Sequence, residues 1–297
     1  MKKILNSFSG IKDFYVKNYK VLLVFSFVLF LVLVGLMFIK AFSTGEFVKK
    51  DISLKGGVTI TLPLSQEQFD AVKNKLLSAF PGKDLEFREI GITEKNLVIE
   101  SSDLTESEIL NALSEFDVVK RGDYTVTRIG SVLGESFFKE TIRAMVFAFI
   151  LMSIVVLIYF KDFVPSLFVI WAAMADILET LAVISLLNIK LSSAGVAAFL
   201  MLIGYSVDTD ILLTARVLRT RYNTIIQRIF SAMKTGVTMT LTTLSALLVG
   251  FFVSGSSVIK EIMLILLIGL VFDLINTWLG NACILRLHLE RKSKKHV

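Results

Sequence analysis

The chain has 297 residues, of which 54% are hydrophobic and 20% are charged, and its net charge is +6. The mean hydropathy of +0.71 is above that of soluble domains, in which apolar residues are broken into short periodic runs. Here the apolar residues form long blocks. This pattern excludes a soluble globular protein and predicts a polytopic α-helical membrane protein.

The first apolar block, Val21–Ile39, contains no charged residue and is just long enough to cross the roughly 30 Å hydrocarbon core of a bilayer as a helix. A signal peptide has an apolar region of about 7 to 15 residues and a small-residue cleavage site. This block is longer, and Lys40–Gly45 is a poor cleavage site. We therefore predict a short N-terminal segment, residues 1–20, followed by an uncleaved transmembrane helix over residues 21–39.

Residues 40–143 predict a folded domain, because their hydrophobic periodicity is regular. Apolar residues alternate in Gly56–Leu62 and in Asn96–Ser101, as in strands, and a capping box at Thr105-x-x-Glu108 opens a helix. The predicted order of elements is β-α-β-β-α-β, which is that of a ferredoxin-like α+β module. The domain has no metal-spaced Cys/His set and no phosphate-binding loop. Binding or a mechanical role is therefore favoured over catalysis.

Five further spans are predicted in residues 144–285, which makes six transmembrane helices in all. They are closely spaced along the chain, and a basic tail follows them over residues 286–297. The five predicted spans are Ala144–Phe160, Phe163–Leu187, Leu191–Leu213, Gly236–Phe252 and Ile259–Leu285.

The distribution of basic residues predicts the orientation in the membrane. Lysines and arginines cluster before the first span, between the fourth and fifth spans, and in the tail, whereas the short outer connections hold only Lys190 and Lys260. The positive-inside rule places both termini in the cytoplasm of a cell membrane and residues 40–143 on the extracytoplasmic side. The net charge therefore reports topology and contact with the lipid bilayer. No basic patch on a soluble domain indicates nucleic-acid binding.

Acidic residues inside the predicted spans are the candidate functional groups, because a charge at a helix centre costs about 2.5 to 3.5 kcal/mol on insertion scales. Asp176 and Glu179 are three residues apart and share one helix face. Asp208 and Asp210 are two apart and point in different directions. Because Asp210 lies near the cytoplasmic edge, we expect it to be solvated or paired with an arginine. The full set of acids and neighbouring cations is Asp176, Glu179, Asp208, Asp210, Asp273, Lys234 and Arg216.

Small and hydroxylated residues are concentrated in the third, fourth and fifth spans. Such residues allow helices to approach closely and to bond across their interface. The first two spans consist almost entirely of Phe, Leu, Val and Ile. We therefore expect spans three to six to form the inner bundle and spans one and two to face lipid.

Two interpretations of the acids stay open. In the first, hydrogen-bonded carboxyls join helices and never titrate. In the second, a buried carboxyl takes up and releases a proton during a conformational cycle.

Catalysis is not expected. Intramembrane aspartyl proteases place their acids in Tyr-Asp and Gly-x-Gly-Asp contexts, which the surroundings of Asp176 and Asp208 do not match. The two histidines, His288 and His296, lie in the tail, and Cys283 is the single cysteine, interpreted as a small buried hydrophobe. We therefore expect no enzyme activity, no metal and no cofactor.

The layout and two motifs resemble the SecD/SecF family of protein-export membrane proteins. The stretch DISLKGG, with Asp51, Gly56 and Gly57, resembles the family motif that follows the first helix. The stretch IGYSVDTDILLTARV, with Gly204, Tyr205 and Ser206, resembles the signature of its fourth helix. Asp176 matches the family's mid-helix aspartate, and KTGVTMTLTTL, which begins at Lys234, resembles its Thr-rich fifth helix.

The resemblance implies the SecF branch, whose helices form one half of a resistance-nodulation-division (RND) transporter bundle. It implies SecD, the Sec translocation channel and the unfolded chain in transit as partners, and export coupled to the proton gradient. The order Asp208-Thr209-Asp210, where bacterial members have Asn-Asp-Thr, implies an archaeal-type member. The competing functions are half of an RND-type small-molecule or lipid transporter and a non-titrating scaffold of the translocon.

Within this resemblance, Gly56 and Gly57 are candidate hinge residues between the first helix and the outer domain, because glycine adopts backbone conformations closed to other residues. An ordinary entry into a strand is the alternative interpretation of the same two residues.

Overall fold

The computed structural model describes residues 12–64, 66–90, 96–220 and 224–294, which form a helical bundle and one small sheet. The N-terminal half contains α1 (residues 12–17), α2 (Tyr19–Thr44), α3 (Ile52–Lys55), β1 (Gly57–Pro63), α4 (Gln66–Ala79), β2 (Leu85–Ile90), β3 (Asn96–Ser101), α5 (Glu106–Ala112), α6 (Asp117–Arg121) and β4 (Thr125–Ile129). The C-terminal half contains α7 (Ser131–Phe160), α8 (Phe163–Leu186), α9 (Ser193–Arg219), α10 (Ile225–Val253), α11 (Ser257–Ile275), a π-helical segment (Asn276–Asn281) and α12 (Ala282–Lys294).

The outer domain is built on a four-stranded antiparallel sheet with the strand order β2-β3-β1-β4. In the central strand β1, Ile60 lies opposite Ile99 of β3 on one side and Val126 of β4 on the other. Alternate residues of β1 are buried, as expected for a strand with one face on a core. The elements follow the predicted order β-α-β-β-α-β, with α5 and α6 in the second helical position. The buried core comprises Val58, Ile60, Leu62, Val72, Leu76, Leu97, Ile99, Ile109 and Leu113.

Five of the described helices, α2, α7, α8, α9 and α10, are long and apolar enough to cross a membrane. The sixth predicted span, Ile259–Leu285, lies within α11, the π-helical segment and the start of α12, which follow one another without a break. The α11 helix is shorter and carries Lys260, Glu261 and Asp273. The sixth segment is therefore helical, with three charged residues in its otherwise apolar first helix.

Two helix boundaries differ from the prediction on the outer side. The α7 helix starts at Ser131 rather than Ala144, so that the last part of the predicted domain 40–143 belongs to the same helix as the second span. The α9 helix starts at Ser193, because Leu191 is in extended conformation and bridges to the outer domain.

The α10 helix also begins earlier than predicted, at Ile225 rather than Gly236. Thr224 caps it and accepts a hydrogen bond from the amide of Gln227, which completes a capping box. The first turns of α10 therefore carry basic residues that the prediction placed in a loop. Long basic side chains tolerate this position because they reach water from a helix end.

The α8 and α9 helices lie at the centre of the bundle. In their most apolar stretches 50% and 56% of residues are buried, against 11% in α2 and 6% in α7, so that the first two spans lie outside as predicted. The prediction of an inner position is wrong for α10, of which only 11% is buried. Its Thr-rich face, with Thr238, Thr242 and Ser245, is exposed in this chain. Small and hydroxylated residues indicate a close helix contact, but do not say whether it lies within the same chain.

The outer domain contacts the bundle with one face of its sheet, the face opposite the hydrophobic core of the domain. Alternation along the strands places Glu86, Arg88 and Glu100 on this face. Arg88 forms an ion pair with Glu100. Lys190, in the connection between α8 and α9, contacts Asp84 at 3.1 Å and Glu86 at 3.0 Å.

Backbone contacts complete this joint. The amide of Leu191 donates to the carbonyl of Lys49 at 2.8 Å, and the amide of Asp51 donates to the carbonyl of Leu191 at 3.0 Å. On the other side, Gly134 in the first turn of α7 packs on Gly56. A Cβ atom at Gly134 would lie 2.6 Å from the amide nitrogen of Gly56. The domain is thus fixed to α7 and to the α8–α9 connection as well as to α2.

Candidate functional site

Four carboxylic acids lie fully buried in the middle of the helical bundle. Asp176 and Glu179 come from α8, Asp210 from α9 and Asp273 from α11, and all four are 0% exposed. Acidic residues are almost never fully buried without partners, and inside a membrane such residues are expensive to place and usually functional. The hydrogen bonds around them therefore define the candidate site.

The α8 pair shares a single amide donor. Nδ2 of Asn276 donates to Oδ1 of Asp176 at 2.8 Å and to Oε2 of Glu179 at 2.6 Å. The hydroxyl of Ser206 on α9 donates to the other oxygen of Asp176 at 2.5 Å. Three elements thus meet at Asp176, which agrees with the predicted common face of Asp176 and Glu179.

The second pair of acids is held in the same way. Nδ2 of Asn281 donates to Asp210 at 2.7 Å. The hydroxyl of Thr209 lies 2.9 and 3.1 Å from the two oxygens of Asp273, and the hydroxyl of Thr277 lies 3.1 Å from one of them. The α9 and α11 helices are therefore joined through carboxyl groups at their centre.

The π-helical segment brings its amide side chains to these acids. A π-helix closes its backbone bonds between residues i and i+5, and such segments occur frequently at functional sites. Asn276 and Asn281 are the first and last residues of the segment and are five positions apart, so the wider turn directs both toward the bundle interior. On the same segment Gly280 leaves room for Ser26 of α2, whose hydroxyl donates to Asn276 at 2.9 Å.

Several polar atoms in the cluster have no hydrogen-bond partner among the described residues. They are Oε1 of Glu179, Oδ2 of Asp210, Oδ1 of Asn281 and the hydroxyl of Thr214. Within the described ranges no lysine or arginine forms a salt bridge with any of the four acids. Because burial and mutual repulsion both oppose several negative charges in one dry site, a change of charge here requires the uptake or release of a proton or another cation.

Asp210 does not have the predicted environment. We expected it to be solvated or paired with an arginine, but it is fully buried and bonded to Asn281. The reason is that α11 and the π-helical segment cover this face of α9, although the position lies near the end of the apolar run. Asp208 points the other way, as expected from the two-residue spacing, and is exposed.

The two predicted cations do not reach the buried acids. Arg216 donates to the carbonyl of Ser231 at 2.8 Å and to the hydroxyl of Thr235 at 3.0 Å, and so ties α9 to α10. Lys234 is exposed on α10. Arg216 and Asp208 instead line a shallow groove beside the C-terminal half of α9.

Residues of the fourth-helix motif lie partly in the carboxyl cluster and partly on the surface. Ser206 lies in the cluster, whereas Tyr205 is 40% exposed. A Cβ atom at Gly204 would meet nothing within 4 Å. This face of α9 is therefore open in the isolated chain.

The outer motif lies at the joint between the domain and the bundle, away from the buried acids. Asp51 precedes α3 and accepts a hydrogen bond from Arg88 at 3.0 Å. Gly56 ends α3 with φ 84°, and Gly57 opens β1 with φ 152°, so that both positions favour glycine. A Cβ atom at Gly57 would lie 2.5 Å from the carbonyl oxygen of Ser101. The two glycines thus form a tight strand entry at the joint.

The charges at this joint are balanced by Arg88. The carboxylate oxygens of Asp51, Glu86 and Glu100 lie within 4.8 Å of one another, an arrangement that could also hold a metal ion. Burial lowers the pKa of Arg88, but the neighbouring Glu100 and Asp51 outweigh it and the pKa is raised. Burial, the largest effect, raises the pKa of Glu100 despite the guanidinium beside it. The guanidinium is the counter-ion of this cluster.

Sequence reasoning missed four members of the buried cluster. Thr209 lay between the two aspartates that drew attention, and Asn276, Thr277 and Asn281 lie in the sixth predicted span. The available signal was the stretch NTWLGN, which places two asparagines and a threonine in an otherwise apolar segment. Polar residues in a predicted span mark helix contacts or pathways in the same way as acids.

Comparison with known proteins gives the family. Residues 109–291 match the family model "Protein export membrane protein SecD/SecF, C-terminal". The chain is 37% identical over 290 residues to the protein-export membrane protein SecF of Methanocaldococcus jannaschii, a match that covers 94% of this chain and 99% of that protein. It is 38% identical over 257 residues to SecF of Methanothermobacter thermautotrophicus, covering 82% of this chain and 85% of that protein.

The fold is also found in solved structures. The crystal structure of SecDF from Thermus thermophilus, a translocon-associated membrane protein, superposes with a TM-score of 0.72 at 19% identity over 93% of this chain. The chain spans 38% of the length of that SecDF chain. A structure of SecDF in a super-membrane-facing form gives a TM-score of 0.63 at 20% identity. The family match and the SecF relatives together show that this chain belongs to the SecF branch of the SecD/SecF family of protein-export membrane proteins.

Proposed function

We propose that the chain is the SecF subunit of a SecD–SecF complex that assists Sec-dependent protein export across the cell membrane. The relatives named protein-export membrane protein SecF match this chain over most of their length. The SecDF structure with the same fold, of whose chain this one spans 38%, supports SecD as the proposed partner. No chemical conversion of a substrate is part of this proposal.

The proposed placement has six spans, with both termini in the cytoplasm and residues 40–143 on the extracytoplasmic side. Five described helices have the length and apolarity of spans. The continuous helical stretch that begins at Ser257 contains the sixth span, Ile259–Leu285, in which Asp273, Asn276 and Asn281 are turned toward the carboxyl cluster rather than toward lipid. The clusters of lysine and arginine before α2, around the α9–α10 connection and in α12 support this orientation.

SecD is proposed to dock on the open faces of α9 and α10. Gly204 and Asp208 of α9 are exposed, as are Thr238, Thr242 and Ser245 of α10. An exposed aspartate and a row of hydroxyl groups are unfavourable against lipid tails but suit a close contact with another helix. The exposed Thr-rich face of α10 is thus explained by a neighbouring subunit.

The outer domain is proposed to contact the Sec channel and the unfolded chain in transit. Its sheet lies on the bundle, so its helical side faces away from the membrane and is available to these partners. The ties to α7 and to the α8–α9 connection pass any movement of the domain to the bundle.

The observation that carries the mechanism is the cluster of four buried acids on three helices, joined by two asparagines from one π-helical segment. We propose that one of these acids exchanges a proton while the bundle alternates between two arrangements. Removal of a negative charge changes which helices the carboxyl groups hold together. A protonated carboxyl can donate a hydrogen bond, whereas the ionised form can only accept one.

The test is the export rate of a secreted precursor in cells that carry the native chain, Asp176→Asn or Asp210→Asn. Asp70→Asn on the exposed surface of α4 is the matched control. Membrane level and co-purification with SecD are measured in each strain. Export that is slowed at least severalfold with an intact complex supports proton exchange. Normal export from both intact variants rejects it and leaves a scaffold, and loss of the complex means that the acids only join helices.

A further inference from the structure

An internal space lies at the outer end of the bundle, apart from the carboxyl cluster. It is a cavity of about 340 Å³ between α7, α8, α9 and the linker that follows α2. This volume is in the range of small-ligand sites. Its walls are apolar and come from Phe138, Met145, Ile177, Leu181, Val196 and Phe199.

Polar side chains occur only at the mouth of the cavity. Among the lining residues Lys50 and Glu46 are the charged ones, and both belong to the linker. The ammonium of Lys50 lies 4.0 Å from the centre of the Phe138 ring, and no salt bridge of Lys50 occurs among the described residues. A cation thus stands at the entrance without a salt bridge among the described residues, near the exposed Glu46 and within electrostatic range of Glu135.

The cavity reaches deep into the outer half of the bundle. Ile177 lies about 13 Å along α8 from the outer end of that helix, at 1.5 Å per residue. It follows Asp176 in the sequence, so the inner end of the cavity reaches the level of the carboxyl cluster along α8, on a different face of that helix. On the proposed membrane placement, Lys50 is then at headgroup level and Ile177 at the level of the lipid tails.

The chemistry of the walls selects the occupant. A polypeptide segment would bury backbone N–H and C=O groups against side chains that offer no partner, which costs several kcal/mol per group. A hydrocarbon chain has no such groups. The exposed ring of Phe47 lines the mouth and has the position of an interfacial aromatic residue.

We infer that this cavity binds one hydrocarbon chain of a membrane phospholipid, whose anionic phosphate group pairs with Lys50. The lipid enters from the side, past Phe138 and Ile142 of α7, which are only half-buried. A bound chain fills the space between α7, α8 and α9 and supports the position of Ile177 next to Asp176. The inference uses the proposed orientation in the membrane but does not depend on a role in export.

The test uses the complete SecD–SecF complex in vesicles of phosphatidylcholine and phosphatidylglycerol, followed by native mass spectrometry of the released complex. We expect one retained phosphatidylglycerol on the native complex and none on Leu181→Trp, which fills the cavity. Ile150→Trp on the lipid-facing side of α7 is the matched control and keeps the lipid. Lys50→Gln lowers the preference for phosphatidylglycerol about fivefold, the effect of one basic residue near an anionic headgroup.

A second measurement needs no variant. Phosphatidylglycerol with a photoreactive group at the end of one chain is cross-linked to the native complex, and the labelled peptide is identified. Labelling around Ile177 or Phe199 supports the inference. Labelling confined to other surfaces, or retention of lipid by Leu181→Trp, overturns it. Cross-linking of a translocating precursor at position 181, in place of lipid, shows that the cavity serves the polypeptide and also overturns it.

Discussion

The amide nitrogen of Asn276 donates hydrogen bonds to Asp176 at 2.8 Å and to Glu179 at 2.6 Å, although it lies about a hundred residues away from them in the sequence. The α8 helix is thereby fixed to the junction between α11 and the π-helical segment. Because both acids share this donor, its removal affects two buried carboxyl groups at once.

We expect Asn276→Ala to lower the free energy of unfolding by about 1 to 3 kcal/mol, because two buried carboxyl groups lose their shared donor. Unfolding of the purified protein in detergent measures the change. The control is Thr242→Ala on the exposed face of α10, whose hydroxyl bonds only within its own helix. A stability equal to that of the control would show that other groups satisfy Asp176 and Glu179.

The ion pairs of Asp84 predict an acid-sensitive joint. Burial opposes the charge of Asp84, but Lys55 and Lys190 outweigh it and lower the pKa of Asp84 to about 2. A carboxyl whose pKa is depressed on folding stabilises the fold above its unfolded pKa of about 4, and this contribution is lost as the pH falls toward 2.

The stability difference between the native chain and Asp84→Asn should therefore be constant near neutral pH and shrink between about pH 4 and pH 2. Its size is at most about 1 kcal/mol, because these ion pairs are partly exposed. Lys190→Gln should reduce the same difference. Thermal unfolding over this pH range is the measurement, and a difference that does not change with pH would contradict the assignment.

The close packing at Gly134 can be tested by adding a side chain there. Its missing side chain lets α7 approach Gly56, and a Cβ atom there would be 2.6 Å from a backbone nitrogen that cannot rotate away. We expect Gly134→Ala to destabilise the protein by about 1 to 3 kcal/mol through the forced separation of α3 and α7. Gly35→Ala on α2 is the control, since nothing lies within 4 Å of that position and alanine favours a helix. Equal unfolding temperatures for the two variants would disprove the close packing.

The open face of α9 predicts where SecD binds. Gly204→Leu adds a side chain that meets nothing within this chain, so stability should be unchanged. Co-purification with SecD should fall at least about fivefold, because a close helix contact requires a small residue at that point. Gly35→Leu on α2, which is equally open, should leave co-purification unchanged. Full recovery of SecD with Gly204→Leu would place the docking surface elsewhere.

Local patterns in the sequence predicted most of the architecture. Long apolar blocks predicted five helices that the structure contains, and alternation with capping signals predicted the order of elements in the outer domain. The spacing of Asp176 and Glu179 was sufficient to place them on one face. In each case the physical cause acts between residues that are near in sequence.

Features that depend on distant partners could not be predicted in this way. The burial of Asp210 is decided by Asn281, and no periodicity of α9 reports which side α11 covers. The π-helical segment was not predicted, because the apolar and polar pattern of NTWLGN does not distinguish an i+5 from an i+4 backbone bond. The exposure of α10 shows the same limit, because small residues indicate a contact without identifying the chain that makes it.

The parallel bridge between Lys50 and Leu191 joins the outer domain to the connection that enters α9. Tension on the domain would therefore be carried along α9 itself, and not only through the helices on either side of the domain in sequence. The α9 helix runs without interruption from Ser193 to Arg219, and Asp210 lies about 25 Å along it from that entry. Under the proposed function, a pull on the outer domain and the protonation of Asp210 would therefore act on two points of the same continuous helix.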